Sequence, residues 1–304
     1  MFDKIIFVVK IVYKKIMIDN LQLVLMILIL FYRPYQLLGF IMTSKTTAAY
    51  TAVLNHFSQV FAPHINPSSV SVDFEEGLSS AIDAIFPNAK IIRCYFHFLN
   101  ASMRNLKKKK GTKFMERLKG WRESKIFYRK LMGIPLLPQE HMVLAFNWLL
   151  TNTVDDVKEQ FTDFIKYFEG WWIKRVTPIK LSVFLTEKVT NNEIEAYHRV
   201  LRKRMGSHPS IWQLMEYLKN LQSVTRSEWG SLMMGLSIRQ PTENKYINKK
   251  EILHRAWKMY QDKLLDIPKF LACAYNFLGC LQKFTYITES LHVDLFVNIQ
   301  AHNI

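Results

Sequence analysis

Five side chains stand at spacings from which a reactive site can be assembled. Asp73 directly follows the short apolar run Val70-Ser71-Val72, which places a carboxylate at the open end of a sheet. The same position suits the N-cap of a helix over 74–86, with Glu76 as its capping-box partner. Cys94 and His97 form a C-x-x-H pair. That spacing occurs in zinc sites, but no second pair of suitable spacing accompanies it, and the nearest later cysteine is Cys273. Zinc is therefore not expected. The simpler reading is a buried cysteine that ends a strand and a histidine that begins a helix. Glu195 and His198 are three residues apart on a predicted helix and share a face, so the imidazole can orient the carboxylate or meet a phosphate. Glu193 falls on another face and reads as a surface residue. Asn191 and Asn192 suit the cap of that helix.

A second kind of chemistry lies in the cations. Residues 101–130 hold twelve Lys or Arg against two acids, Glu116 and Glu123. Lys107, Lys108, Lys109 and Lys110 form a block, followed by Lys113 and Arg117, and a second block follows Glu195 as Arg199, Arg202, Lys203 and Arg204. Each phosphate neutralised by such a side chain contributes about −0.9 to the salt slope of duplex binding, with little base discrimination. A solvated charged face is the plain alternative, and Lys107 to Lys110 also suit a nuclear localisation signal. The whole chain of 304 residues carries 41 Lys and Arg against 25 Asp and Glu, a net charge of +16. That excess points to a polyanionic partner or an anionic surface. Hydrophobic residues make up 49%, which excludes a disordered tail, and three cysteines exclude a disulfide scaffold or a self-sufficient zinc module.

These groups need strands and helices to position them. Ile5 to Val9 is a β-rich run. Leu21 to Tyr32 and Leu37 to Met42 are apolar, divided by Arg33-Pro34. The first run is shorter than the roughly 20 apolar residues of a membrane helix, so two buried strands and a turn are preferred. A signal anchor led by Lys14 and Lys15, and a non-native start, are the alternatives. Helical spacing over 46–61, a strand over 70–72, a helix over 76–86 and a strand over 91–94 give residues 35–100 an α/β alternation. From His97 onward helices are predicted over 97–110, 113–132, 138–152, 155–169, 192–205, 209–229, 249–265 and 268–281, with a polar linker over 236–248. Trp171, Trp172 and Trp212 read as packing residues rather than base-stacking platforms.

Several of these segments, in order, resemble one family. Val70 to Glu76, Ala81-Ile82, Phe86-Pro87-Asn88-Ala89 and Cys94-Tyr95-Phe96-His97-Phe98 are similar to the central signature of Mutator-like element (MULE) transposases. Upstream, Lys45-Thr46 and Tyr50 resemble its "K-T…Y" segment. Downstream, Tyr167-Phe168-Glu169 with Trp171-Trp172, Thr190-Asn191-Asn192 through His198-Arg199, and His208-Pro209-Ser210-Ile211-Trp212 resemble its later elements. The resemblance runs over residues 35–225.

The resemblance implies an α/β fold. An RNase H-like core is interrupted by a large helical insertion, the whole is helix-rich, and a helical C-terminal tail follows. It implies an Asp, Asp, Glu triad holding two Mg²⁺ or Mn²⁺ ions for phosphodiester hydrolysis and strand transfer, chemistry that calls for hard oxygen ligands. Asp73 takes the place of the second acid and Glu195 of the third. Cys94, His97 and His198 become structural or supporting residues. The first acid belongs to a "D-G-T-F" context on the first core strand, and no D-G-T occurs here. Asp3 is followed by Lys4-Ile5, and Asp19 stands too close to Lys45. The expected organisation is an apolar segment over 1–34 with a missing or altered first strand, a first core part over 35–100, and a basic helical insertion over 101–189. The last core part spans 190–235, and a linker with C-terminal helices spans 236–304. The function so implied is that of a transposase-derived, nuclear, DNA-binding protein whose two-metal site is incomplete. Self-association is left open. The alternatives are an active transposase with an upstream or unrecognised first Asp, or a helical interaction protein with a basic face. Such a protein would be free or anchored to a membrane through residues 21–42.

Overall fold

A computed structural model of the chain describes residues 6–18, 21–30, 36–42, 44–61, 63–64, 66–118, 120–186, 189, 210–236 and 244–274. Glu195, His198, Arg199, Arg202, Lys203 and Arg204 lie outside the described residues, as do Asp3, Asp19, Asn191 and Asn192. The described residues are mostly helical. They divide between two compact units, one built from residues up to His97 with those of 187–241, the other from 98–186 with those of 242 onward.

The first unit holds a five-stranded sheet in the order β3-β2-β1-β4-β5. Its strands are β1 (Ile6–Ile18), β2 (Leu21–Leu30), β3 (Gln36–Met42), β4 (Ser69–Val72) and β5 (Lys90–Arg93). The first three are rich in Ile, Val and Leu, which suit a pleated surface, and they pair antiparallel. The two apolar runs after residue 20 are thus strands, as expected. No helix among the described residues is long and apolar enough to cross a membrane. The segment expected to hold a missing or altered first strand forms β1. β1 sits between β2 and β4, hydrogen-bonded on both sides, with a register shift between Val12 and Ile16. Its start falls in the β-rich run over Ile5 to Val9, and it continues past Lys10, Lys14 and Lys15 to Ile18.

β1, β4 and β5 run parallel, and parallel neighbours need a crossover. Helix α1 (Thr47–His56) links β3 to β4, and α2 (Glu76–Ile85) links β4 to β5. Thr46 caps α1 by accepting from the Ala49 N–H at 3.2 Å, and the last turn widens into a π turn at Phe57–Phe61. Tyr50 and Leu54 of α1 and Leu78, Ala81 and Ile82 of α2 bury against Val70 and Val72. This core fixes the end of β4, and therefore the backbone that carries Asp73.

Helix α3 (Tyr95–Leu118) follows β5 and bends at Gly111, whose φ of 79° lies in the left-handed region that glycine tolerates. A single helix over 113–132 was expected. Instead α3 ends at Leu118, and α4 (Arg122–Gly133) begins after Gly120 and Trp121. Helices α5 (Gln139–Thr151) and α6 (Asp155–Tyr167), a π turn at Phe168–Val176 and the short α7 (Pro178–Leu181) complete this stretch. Val157, Phe161, Phe164 and Phe168 recur at helical spacing and are all buried in the second unit. There Phe98 meets Trp172 edge-on at 4.9 Å, and Phe146 stacks on Phe168 at 5.6 Å. Helix α8 (Ile211–Met233) belongs to the first unit and α9 (Asn244–Gln261) to the second. α9 begins inside the expected linker, anchored by Trp257, whose indole N–H donates to the Leu136 carbonyl at 2.8 Å. Of the three tryptophans read as packing residues, Trp172 is buried. Trp171 is partly exposed beneath the Arg175 guanidinium, and Trp212 stands 79% exposed.

Candidate functional site

Two parallel strands bring the chemistry together. Val72 of β4 lies opposite Arg93 of β5, so the next residue on each chain, Asp73 and Cys94, emerges side by side at the carboxyl edge of the sheet. The Cys94 N–H donates to the Val72 carbonyl at 2.9 Å and extends the pairing by one step. Helix α3 starts at once, and its first turn carries His97, whose N–H donates to the Cys94 carbonyl at 3.1 Å. The His97 Nδ1 then lies 3.1 Å from Oδ1 of Asp73. One donor atom from each of Asp73, Cys94 and His97 falls within 4.8 Å of the others. Cys94 is fully buried, while the side chains of Asp73 and His97 keep 17% and 21% of their surface open.

The capping alternative for Asp73 is corrected. α2 begins at Glu76, Glu75 occupies the N-cap position, and no side chain caps the helix. Asp73 therefore stands outside α2, on a loop held from two sides. From below, buried Arg93 donates through Nη1 to the Asp73 carbonyl at 2.7 Å and reaches Glu76 at 3.4 Å. From the helical side, the Tyr50 hydroxyl donates to Oε1 of Glu75 at 2.7 Å. The "K-T…Y" residues of the sequence thus act on the acidic loop: burial lowers the Lys45 ammonium while the Glu75 charge opposes the shift.

Tyr50 gives a pH signature. Burial first, then the hydrogen bond to Glu75 and its charge, push the phenol well above its ordinary value. The folded chain then holds the proton more tightly than the unfolded chain. Its contribution to stability is whole below about pH 10 and shrinks as pH rises above that, by up to about 1.4 kcal/mol per pH unit. Denaturation followed by circular dichroism is expected to show this alkaline loss. Tyr50→Phe should remove its share, at a cost of about 1 kcal/mol at neutral pH. An alkaline slope identical in the variant would contradict the assignment.

The implied pair of Mg²⁺ or Mn²⁺ ions fits the described residues poorly. Asp73 has a thiol and an imidazole as neighbours, where hard cations take oxygen. On the other side, β1 pairs in parallel with β4, Val8 opposite Ser71. β1 contains no acid at all. Glu195, the implied third acid, lies outside the described residues.

The basic residues of α3 fall in the second unit. Lys107, Lys108, Lys109, Lys113 and Arg117 are exposed and Lys110 is half-buried. None of the six makes an ion pair among the described residues, whereas Lys158, Lys174 and Lys269 pair with Asp155, Glu169 and Asp266. Cys94 was singled out from sequence, but the junction of Asp73 with Cys94 and His97 was not. Its signal was the strand register, which spacing along the chain does not carry.

Residues 19–101 match the sequence model of the MULE transposase domain, and the match takes in β2 through the first turns of α3. No curated protein matches the chain.

Proposed function

We propose, from the match of residues 19–101 to the MULE transposase domain, that this chain is a transposase-derived protein that binds DNA through the basic face of α3 without cleaving it. The observation that carries this reading is the row of exposed cations from Lys107 to Arg117 that have no acidic partner among the described residues. Cations left unpaired on a helix surface are available to phosphate, and each one engaged releases counterions. The remaining basic block, Arg199, Arg202, Lys203 and Arg204, would add to the net positive charge that favours a polyanion.

An RNase H-like core is supported by the strand order. A three-stranded antiparallel meander is followed by two parallel strands, and the first and fourth strands are neighbours. In such a core, acids on β1 and after β4 can share an ion. Here β1 carries no acid that could share an ion with Asp73. This is the reason for reading the cleavage site as incomplete, with Asp73 and Glu195 as its remaining acids. A nuclear location accords with DNA as partner.

Mobility-shift titration of the purified chain on terminal-repeat duplex tests both halves. Binding is expected to weaken steeply as salt rises from about 50 to 200 mM, by at least roughly 10³-fold if six cations engage phosphate. In Mg²⁺ or Mn²⁺ the bound strands should stay intact. Salt-insensitive binding would remove the first half, and metal-dependent nicking the second.

A further inference from the structure

We propose that Asp73, Cys94 and His97 form a site for one thiophilic divalent cation of the zinc class. The C-x-x-H pair alone lacked enough ligands. The fold supplies a third from the neighbouring strand, because the Val72–Arg93 register sets Asp73 beside Cys94. The three donors are one oxygen, one sulfur and one nitrogen. Thiolate and imidazole together select zinc-like ions over Mg²⁺ or Ca²⁺, which require oxygen sets.

The dimensions suit such an ion. A tetrahedral centre with bonds of about 2.0–2.1 Å to nitrogen and oxygen sets those ligands about 3.3 Å apart, and the longer bond of about 2.3 Å to sulfur sets its neighbours about 3.6 Å away. The Asp73 Oδ1 and His97 Nδ1 are already 3.1 Å apart, and no pair of donor atoms exceeds 4.8 Å. Closure needs rotamer adjustment and no movement of strands. Three protein ligands leave a fourth position, and the partly open Asp73 and His97 side chains provide the way in. The Cys94 thiol loses its proton to solvent as the metal–sulfur bond forms, so binding strengthens as pH rises. With the ion in place the Asp73 carboxylate is engaged with a soft ion. The site then anchors the end of β4 to β5 and α3, a structural role in place of a catalytic one.

Cobalt(II) added to the full metal-free chain reads the site directly. We expect one Co²⁺ per chain, with a thiolate-to-cobalt charge-transfer band and the visible bands of a tetrahedral ion. Zn²⁺ should displace it stoichiometrically. Cys94→Ser, nearly isosteric in its buried position, should abolish the charge-transfer band, while Cys273→Ser with Cys280→Ser should retain it. His97→Ala and Asp73→Asn, at partly open positions that the fold tolerates better, should each lower Zn²⁺ affinity more than about 10-fold. A band that survives Cys94→Ser, no stoichiometric Co²⁺ uptake, or displacement of Co²⁺ by Mg²⁺ as readily as by Zn²⁺ would overturn the proposal. The salt dependence of DNA binding, measured on the same preparation, fails or holds independently of these results.

Discussion

Replacing Lys107, Lys108, Lys109 and Lys110 together by Gln is expected to lower affinity for duplex DNA by up to roughly 10³-fold near physiological salt. Four engaged lysines account for about 3.6 of the salt slope, and that slope taken from 1 M down to about 0.15 M salt amounts to roughly three decades in binding constant. The quantity to measure is the slope itself, from fluorescence anisotropy over a salt series. A fall of about 3–4 in its magnitude means that all four contact phosphate, and a fall of about 1–2 that only one face of the helix does. The second outcome has a structural rationale, since Lys107 to Lys110 span a full turn and cannot all face one way. Lys110 is also the one of the four that is half-buried. Lys158→Gln with Lys174→Gln is the matching control. Both of those lysines already hold carboxylates, at 2.7 Å each, and their removal should leave the slope nearly unchanged. Equal loss in the two variants would mean that net charge, and not the α3 surface, governs binding.

How far the sequence revealed this molecule depended on the range of the interaction concerned. Local periodicity was enough for α1, α2, α5 and α6, because each buries one stripe of residues at helical spacing. It was enough for β4 and β5, which are short and apolar. It failed where a boundary is fixed from elsewhere in the fold. Asp73 looked like the cap of α2 because Glu76 stood three residues on. α2 starts at Glu76, as its spacing indicated, and Asp73 is kept from capping it because Arg93 grips the Asp73 carbonyl and Tyr50 holds Glu75, contacts that span 20 and 25 residues. Of β1 only the β-rich start over Ile5 to Val9 was legible, because three lysines interrupt the rest of a strand that pairs on both edges. Trp172 and Trp212 were indistinguishable as sequence, and only packing separates a buried indole from an exposed one. Of the candidate site, the individual residues Asp73, Cys94 and His97 were legible. Their meeting was not, since parallel register is a relation between strands rather than a pattern along one. Glu195 and the basic residues after it fall outside the described residues, so for them the sequence reading stands alone.

Arg93 is the residue on which the loop depends, and two substitutions separate what it does. Its side chain is 2% exposed, donates to the Asp73 carbonyl at 2.7 Å and lies 5.8 Å from the Phe74 ring centroid. Its Nε is buried without a hydrogen-bond partner, and burial lowers the guanidinium below its usual value despite Glu76, Asp83 and Asp73 nearby. The charge is therefore held at a desolvation cost that its 66%-exposed partner Glu76 offsets only in part. Arg93→Ala removes the charge, the hydrogen bond and the volume, leaving a cavity and an unsatisfied carbonyl, and should cost about 3–5 kcal/mol in urea denaturation. Arg93→Met keeps most of the volume and relieves the buried charge, so its cost should be about 1 kcal/mol or less. The Met variant stays folded and isolates the positioning effect. With the Asp73 carbonyl released, the carboxylate loses its fixed approach to Cys94 and His97, and Co²⁺ affinity should fall about 10-fold while DNA affinity holds. Equal destabilisation by Ala and Met would show that the ion, not its volume, sustains the loop. Undiminished Co²⁺ affinity in Arg93→Met would show that Asp73 is held in place by β4 alone.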